Sequence, residues 1–148
     1  MTILKDTRFV PLHILVVDNN DIERKASVEI IRDNQHIATE ASTGEAALVA
    51  AYDIPFDLIL LELHLPNMNG FEVAKLIRTL PATRGWVPII ALTQTDNHED
   101  VRKCFQVGMS NFILKPLTTS SLLAATCTYS ARKNVPAIQF SYFDGSNQ

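Results

Sequence analysis

Short apolar runs alternate five times along the chain with longer segments in which hydrophobic residues recur at helical spacing. The runs have the length of strands, and the segments between them are long enough for helices. Strands that alternate with helices form a parallel sheet with helices on both faces. The pattern therefore predicts an α/β fold, a (βα)5 doubly wound parallel sheet. Its strands are predicted at 13–17, 36–41, 56–62, 87–93 and 111–115.

The segments between the predicted strands contain sequence patterns that predict helices. Ile22, Ala26 and Ile30 recur every four residues and predict the first helix. Ser42 and Glu45 stand at capping-box spacing and predict where the second helix begins. The third helix is predicted from one apolar face, and the last helix is expected to begin at a Thr118 or Thr119 cap. The apolar face of the third helix comprises Val73, Leu76, Ile77 and Leu80.

The predicted strand at 36–41 is less apolar than the others, and its residues alternate in polarity as in a half-exposed edge strand. The strand order 2-1-3-4-5 of flavodoxin-like folds puts the second strand at an edge. In such sheets, ligands bind beyond the carboxyl ends of the strands, at the point where the strand order reverses. That point lies here between the first and third strands.

The predicted units divide the chain into three parts. Residues 1–12 precede the first strand and form an N-terminal extension, and residues 13–133 contain all five strand–helix units. Residues 134–148 fit no sixth unit, so they are predicted to be a C-terminal tail or a linker.

Composition narrows the function classes. Of the 148 residues 47% are hydrophobic, and the net charge is −3, so neither general disorder nor a nucleic-acid partner is favoured. No apolar run has the length of a membrane span, and the first residues lack the apolar core of a secretory signal. Cys104 and Cys127 are expected to be reduced, partly buried thiols. These features predict a cytoplasmic protein with no membrane insertion.

Polar residues stand where the predicted strands end. Asp18 and Asn19 follow the first strand, Glu62 ends the third, Thr93 ends the fourth and Lys115 ends the fifth. Parallel strands bring these ends to one edge of the sheet. Acids with oxygen-rich neighbours suit a hard cation such as Mg²⁺, and a lysine with a threonine suits a phosphoryl group.

These strand ends resemble a known family, the response-regulator receiver domains of two-component signalling. The resemblance rests on "ILVVDNN", "DLILLELHLPNMNGFEV", "PIIALT" and "FILKP", in this order at the matching strand ends. It extends from His13 to Arg132. The run "VPIIALTQT" and the segment ending in "FILKPL" are most similar to receivers attached to hybrid histidine kinases.

The resemblance implies an acceptor and a metal site. The phosphoacceptor aspartate of the family corresponds to Glu62 here. The two acids that hold Mg²⁺ correspond to Asp18 and Asn19, and the backbone carbonyl of His64 would be a further metal ligand. Glu62 would complete this set.

The resemblance also implies the remaining parts of the site. Thr93 and Lys115 correspond to residues that bind phosphate oxygens. Phe112 occupies the position of the aromatic switch residue, whose ring moves when the threonine moves, and we expect it to point inward. Lys115–Pro116 corresponds to a cis peptide bond, which the tertiary amide of proline tolerates.

Two departures fall at the site itself. Glu62 carries one methylene more than aspartate, and misplacing a reacting atom by about 1 Å lowers a rate on the order of a hundredfold. Asn19 removes a carboxylate from the metal site, so only Asp18 and Glu62 are expected to supply charge there, and the Mg²⁺ site is predicted to be weak or empty. Both changes favour a pseudo-receiver that acts by protein–protein interaction, with Glu62 as a partial mimic of a phosphorylated aspartate.

Three alternatives remain open. The chain could be a phosphorylatable receiver, taking phosphate from a phosphohistidine with Mg²⁺ as part of a hybrid histidine kinase, or an engineered phosphomimic of one. It could also be a flavin- or nucleotide-binding protein, although no glycine-rich phosphate loop follows the first strand.

The same resemblance also implies binding partners. A histidine kinase, a phosphotransfer domain or a downstream protein is expected to bind, and a homodimer is expected through helix 4, strand 5 and helix 5. That face would carry Arg102, Lys103 and Gln106, above Phe112.

Overall fold

Five parallel strands form one sheet in the computed structural model, which describes residues 9–134. The strands are β1 (His13–Val17), β2 (Ile37–Ala41), β3 (Leu58–Leu61), β4 (Ile89–Thr93) and β5 (Asn111–Leu114). Their order across the sheet is β2-β1-β3-β4-β5, so the predicted order and the flavodoxin-like class are confirmed. β2 lies at an edge, as its alternating polarity indicated.

The helices follow the strands in the predicted sequence. They are α1 (Asp21–Asp33), α2 (Gly44–Asp53), α3 (Gly70–Arg78), α4 (His98–Gln106) and α5 (Thr119–Asn134). A short 3-10 helix at Ala82–Trp86, which was not predicted, lies between α3 and β4. Residues 1–8 and 135–148, which include most of the predicted extension and tail, lie outside the described residues, so the division of the chain stays a prediction.

The core has two layers, one on each face of the sheet. Alternate residues of a strand point to opposite faces, so β1 directs Leu15 and Val17 to one layer and Ile14 and Val16 to the other. α2, α3 and α4 cover the first layer, and α1 and α5 cover the second. All four residues of β3 are buried, as expected for a central strand that is covered on both faces.

The face that α1 buries differs from the one that its sequence pattern suggested. Ile22 is 82% exposed and Ala26 is also exposed, whereas Val28 and Ile31 are buried. The helical period was right, but a buried Arg24 shares the inward face. From this face Arg24 donates to Glu40 and to the backbone carbonyl oxygen of Asp18, so the buried face of α1 is not its most apolar stripe.

Helix caps set the starts of the helices. Thr43 rather than the predicted Ser42 caps α2, because its side chain accepts the hydrogen bond from a backbone N–H of the first turn. Asn69 and Glu72 form a capping box at α3 that the sequence analysis did not identify. Thr118, one of the two predicted caps, accepts a hydrogen bond from the first turn of α5.

Cys104 is buried and Cys127 is exposed, so the expectation of two partly buried thiols is wrong for Cys127, which lies on the outer side of α5. Both are free thiols. Within residues 9–134, no helix combines the length and the apolar character needed to cross a bilayer.

Candidate functional site

The ends of β1, β3 and β5 bring three charged residues together at the carboxyl edge of the sheet. The Lys115 side chain is 8% exposed, and its ammonium is surrounded by carboxylates. Its Nζ lies 2.8 Å from Oδ2 of Asp18 and contacts Oε1 of Glu62. Asp18 and Glu62 are themselves buried, so this is an ion-pair cluster removed from solvent.

Both carboxylate oxygens of Glu62 are engaged. Oε1 contacts Lys115, and Oε2 accepts a hydrogen bond from the backbone N–H of His64 at 3.0 Å. The loop after β3 folds back closely, since the N–H of Gly70 donates to the carbonyl oxygen of Leu63 at 2.8 Å. The start of α3 therefore fixes the backbone from which Glu62 projects.

Asp18 is held from two sides. Its Oδ1 accepts the backbone N–H of Asn20 at 3.0 Å, and its backbone carbonyl oxygen accepts a hydrogen bond from Arg24 at 3.0 Å. Its other carboxylate oxygen, Oδ2, is buried and forms the ion pair with the Lys115 ammonium at 2.8 Å. Both carboxylate oxygens of Asp18 are therefore engaged, one by the backbone and one by Lys115.

Glu23 is the site residue that the sequence analysis missed. It lies in the first turn of α1, where its backbone N–H donates to the capping side chain of Asn20. Its Oε1 lies 2.7 Å from Nζ of Lys115, and its Oε2 accepts a hydrogen bond from Gln94 at 3.2 Å. The available signal was an acid at the third position of a helix that begins just after Asp18.

The electrostatics of the cluster centre on Lys115. Burial opposes its charged form, but the hydrogen bonds that it donates to Asp18, Glu23 and Glu62 outweigh burial, so the pKa of Lys115 is raised above its ordinary value. Three carboxylates and one ammonium leave a formal charge of about −2 on the cluster at neutral pH.

The donor set suits a hard cation. One carboxylate oxygen from each of Asp18, Glu23 and Glu62 lies within 4.8 Å of the others, and oxygen ligands of this kind hold Mg²⁺. Asn19 is exposed, and the His64 side chain is 64% exposed, 3.5 Å from Asp100. The structure thus brings together two of the expected ligands and adds Glu23, a third negative charge that the sequence analysis did not include.

The other expected residues surround the cluster. Thr93 is buried at the end of β4, and its hydroxyl accepts the backbone N–H of Thr95 at 3.4 Å rather than joining the ion pairs. The Lys115–Pro116 peptide bond is cis. Phe112 is half-buried and packs inward against the core layer covered by α2, α3 and α4.

Comparison with known proteins identifies the family. The model of the response regulator receiver domain matches residues 14–126, which is more than half of the chain. The chain belongs to the response regulator receiver domain family. Its fold and the order of its strand-end residues are those that the sequence motifs indicated.

Receivers of several kinds are similar to this one. Hybrid signal transduction histidine kinase B of Dictyostelium discoideum is 32% identical over 120 residues, which cover 74% of this chain and 6% of that protein. The chain thus spans a small part of the curated relative. Gliding motility regulatory protein of Myxococcus xanthus is 30% identical, with 70% of this chain and 13% of that protein covered.

One solved structure that is similar to this chain contains a metal ion. The receiver domain of sensor histidine kinase PA1611 from Pseudomonas aeruginosa PAO1 superposes with a TM-score of 0.75 at 27% identity, covering 82% of this chain and 99% of that one. That structure has a magnesium ion coordinated in its active-site cleft.

Proposed function

We propose that this receiver is a pseudo-receiver, which signals by binding a partner and not by accepting a phosphoryl group. The observation that carries the proposal is the state of Glu62, whose two carboxylate oxygens are both engaged, one by Lys115 and one by the His64 N–H. A carboxylate held in this way presents a fixed negative charge where the family's acceptor would change its charge on phosphorylation.

The surroundings of Lys115 support the same proposal. An ammonium has three N–H donors, and three carboxylates already lie around this one. A phosphoryl oxygen would have to compete with Glu23, Asp18 or Glu62 for Lys115. The extra methylene of Glu62 further displaces the attacking oxygen from the in-line position that phosphoryl transfer requires.

Incubation with acetyl phosphate and Mg²⁺, followed by intact mass measurement, tests the proposal. We expect no phosphoryl adduct on the wild type or on Glu62→Gln, and an adduct on the double variant Glu62→Asp with Asn19→Asp, which restores the two acids of the family. The single variant Glu62→Asp separates the effect of the acceptor from that of Asn19. If the wild type gains a phosphoryl group as fast as the double variant, the proposal is wrong.

A phosphorylatable receiver is the second candidate, because the site retains Asp18, Thr93 and Lys115 and has a third carboxylate in Glu23. In that case Glu62 would take phosphate from a phosphohistidine, with Mg²⁺ held by the carboxylates. The experiment above decides between the candidates. Tandem mass spectrometry of any wild-type adduct would show whether it lies on Glu62.

The proposed partners are a histidine kinase, a phosphotransfer domain or a downstream protein in the cytoplasm. A homodimer through α4, β5 and α5 is proposed as well, supported by one large exposed hydrophobic residue on each: Phe105, Leu114 and Leu123. Sedimentation velocity of the wild type and of Leu114→Asp tests this dimer. A dimer that survives the substitution would argue for another face.

A further inference from the structure

A small cavity lies at the amino edge of the sheet, opposite the edge that carries the ion-pair cluster around Lys115. Its volume is about 220 Å³, and its walls come from the end of α2, the loop before β3 and the residues just before β4. Most of the lining residues are apolar, namely Ala51, Ile54, Pro55, Phe56, Ile59 and Val87. Small-molecule sites usually have volumes of roughly 300–1,000 Å³, so this cavity suits one or two side chains better than a cofactor.

Two exposed aromatic residues and one cation adjoin the cavity. Tyr52 is 60% exposed and Trp86 is 70% exposed, and each is next in the chain to a lining residue. Arg84 lines the cavity, and its Nε donates to the carbonyl oxygen of Tyr52 at 3.2 Å. The lining acid Asp57 accepts a hydrogen bond from the backbone N–H of His13, and Arg84 forms no ion pair within the described part of the chain. This surface therefore fits a segment with aromatic and acidic residues.

Residues 135–148 of the chain have this chemistry. Three aromatic residues and one acid stand close together there, at Phe140, Tyr142, Phe143 and Asp144. Residues 1–8 contain no aromatic residue and carry two cations against one acid, so their charge would oppose that of Arg84. We propose that residues 140–144 of the same chain dock on this cavity, with their aromatic rings against its apolar lining and Asp144 beside Arg84.

The direction of α5 brings this segment to the correct edge. α5 begins after the carboxyl end of β5 and returns along the sheet, and its 16 residues extend about 24 Å, whereas the four residues of β5 extend about 13 Å. Asn134, the last residue of α5, therefore lies towards the amino edge. The cavity borders β3, which is two strands or about 10 Å from β5.

The chain is also long enough to reach the cavity. Residues 140–144 are six to ten positions beyond Asn134, and an extended chain covers that distance in about 20–35 Å. A short connection gives an effective concentration of about a millimolar, which favours the chain's own segment over that of a second copy in dilute solution.

Trp86 is the single tryptophan of the chain, so its fluorescence reports whether the surface beside the cavity is covered. Acrylamide quenching is measured on the full chain and on a triple variant, Phe140→Ser with Tyr142→Ser and Phe143→Ser. A contact with a Kd of about 1 mM would form in about half of the molecules, so the quenching constant of the wild type should be about twofold lower than that of the triple variant. The matched control, Ser141→Ala with Ser146→Ala, keeps the aromatic rings and should be quenched as the wild type is.

A charge exchange tests the pairing of Asp144 with Arg84. Arg84→Glu and Asp144→Arg should each raise the quenching constant towards that of the triple variant, and the two changes together should return it towards the wild-type value. Any direct effect of Arg84→Glu on the fluorescence of Trp86 is present in both the single and the double variant, so the difference between them reports the contact alone. Circular dichroism verifies that each variant is folded.

The inference is overturned if the wild type and the triple variant are quenched equally, or if the double variant is quenched like Arg84→Glu alone. Protection of Trp86 that rises with protein concentration would also overturn it, because a second copy would then cover the cavity. None of these outcomes bears on the proposed role of Glu62, which lies at the opposite edge of the sheet and is judged by phosphoryl adducts.

Discussion

Replacing Gly70 by alanine should both destabilise the domain and displace the backbone of Glu62. A Cβ at this position would lie well inside contact distance of the carbonyl oxygen of Glu62 and 2.8 Å from Cα of Leu63. Ordinary carbon–carbon contacts are about 3.5–4.0 Å, so the start of α3 would have to move by roughly 0.7 Å or more. Both obstructing atoms belong to the backbone, so no side-chain rotation can relieve the overlap.

Gly44 provides a matched comparison, since it is also the first residue of a helix. A Cβ there would lie 2.8 Å from a methyl group of Val73 and 3.0 Å from the carbonyl oxygen of Met68. Alanine gains about the same helix propensity at both positions, up to ~1 kcal/mol, so the difference between the variants isolates the overlap. We expect Gly70→Ala to lower the free energy of unfolding by about 2–3 kcal/mol, and Gly44→Ala by at least ~1 kcal/mol less.

Urea unfolding followed by far-ultraviolet circular dichroism measures these free energies. The amide resonance of His64, whose N–H donates to Glu62, reports the local displacement, and it should shift in Gly70→Ala but not in Gly44→Ala. Equal losses of stability in the two variants, or an unmoved His64 amide in Gly70→Ala, would refute the reasoning that α3 fixes the backbone of Glu62.

Three further predictions follow from the fold. The side-chain hydrogen bond from Arg24 lowers the pKa of Glu40, so this carboxylate stabilises the folded state above its ordinary pKa and loses that effect as the pH falls through the lowered value. Urea unfolding should therefore show the wild type losing more stability than Glu40→Gln between about pH 5 and pH 3. Leu60→Ala, in the buried central strand, should lower the free energy of unfolding by about 2–5 kcal/mol, and a loss below ~1 kcal/mol would contradict the packing described. Thiol labelling of the native protein should modify Cys127 rapidly and Cys104 slowly, because Cys104 is buried and burial raises its pKa; two equally fast thiols would be inconsistent with the structure.

The strands of the sheet could be predicted from the sequence, because a strand that is buried on both faces is a continuous run of apolar residues. β1 occupies the predicted residues 13–17, and β3 and β4 lie within the predicted runs. The order of the strands followed from the polarity of β2 and from the connectivity of parallel units. The strand-end residues Asp18, Glu62 and Lys115 could be placed together for the same reason.

Features that depend on where a helix lies against the sheet could not be predicted. Glu23 reaches Lys115 only because α1 begins close to the sheet edge, and the two residues are 92 positions apart in the chain, which gives no sign of this contact. The apolar stripe of Ile22 and Ala26 was misleading for a related reason, since Arg24 finds partners on the inward side. Local chemistry alone also could not choose Thr43 over Ser42 as a cap.

The contact between Lys115 and the acids at the ends of β1 and β3 has a consequence for how the chain folds. Asp18 and Glu62 are synthesised well before the lysine that neutralises them, and buried acids without a counter-charge repel each other and are costly to desolvate. A nascent chain that ends before β5 therefore carries an electrostatic obstacle to closing the sheet around these two residues. Completion of the last strand removes the obstacle, so the first three strands are not expected to persist as a native-like half, and the sheet should assemble as one cooperative unit.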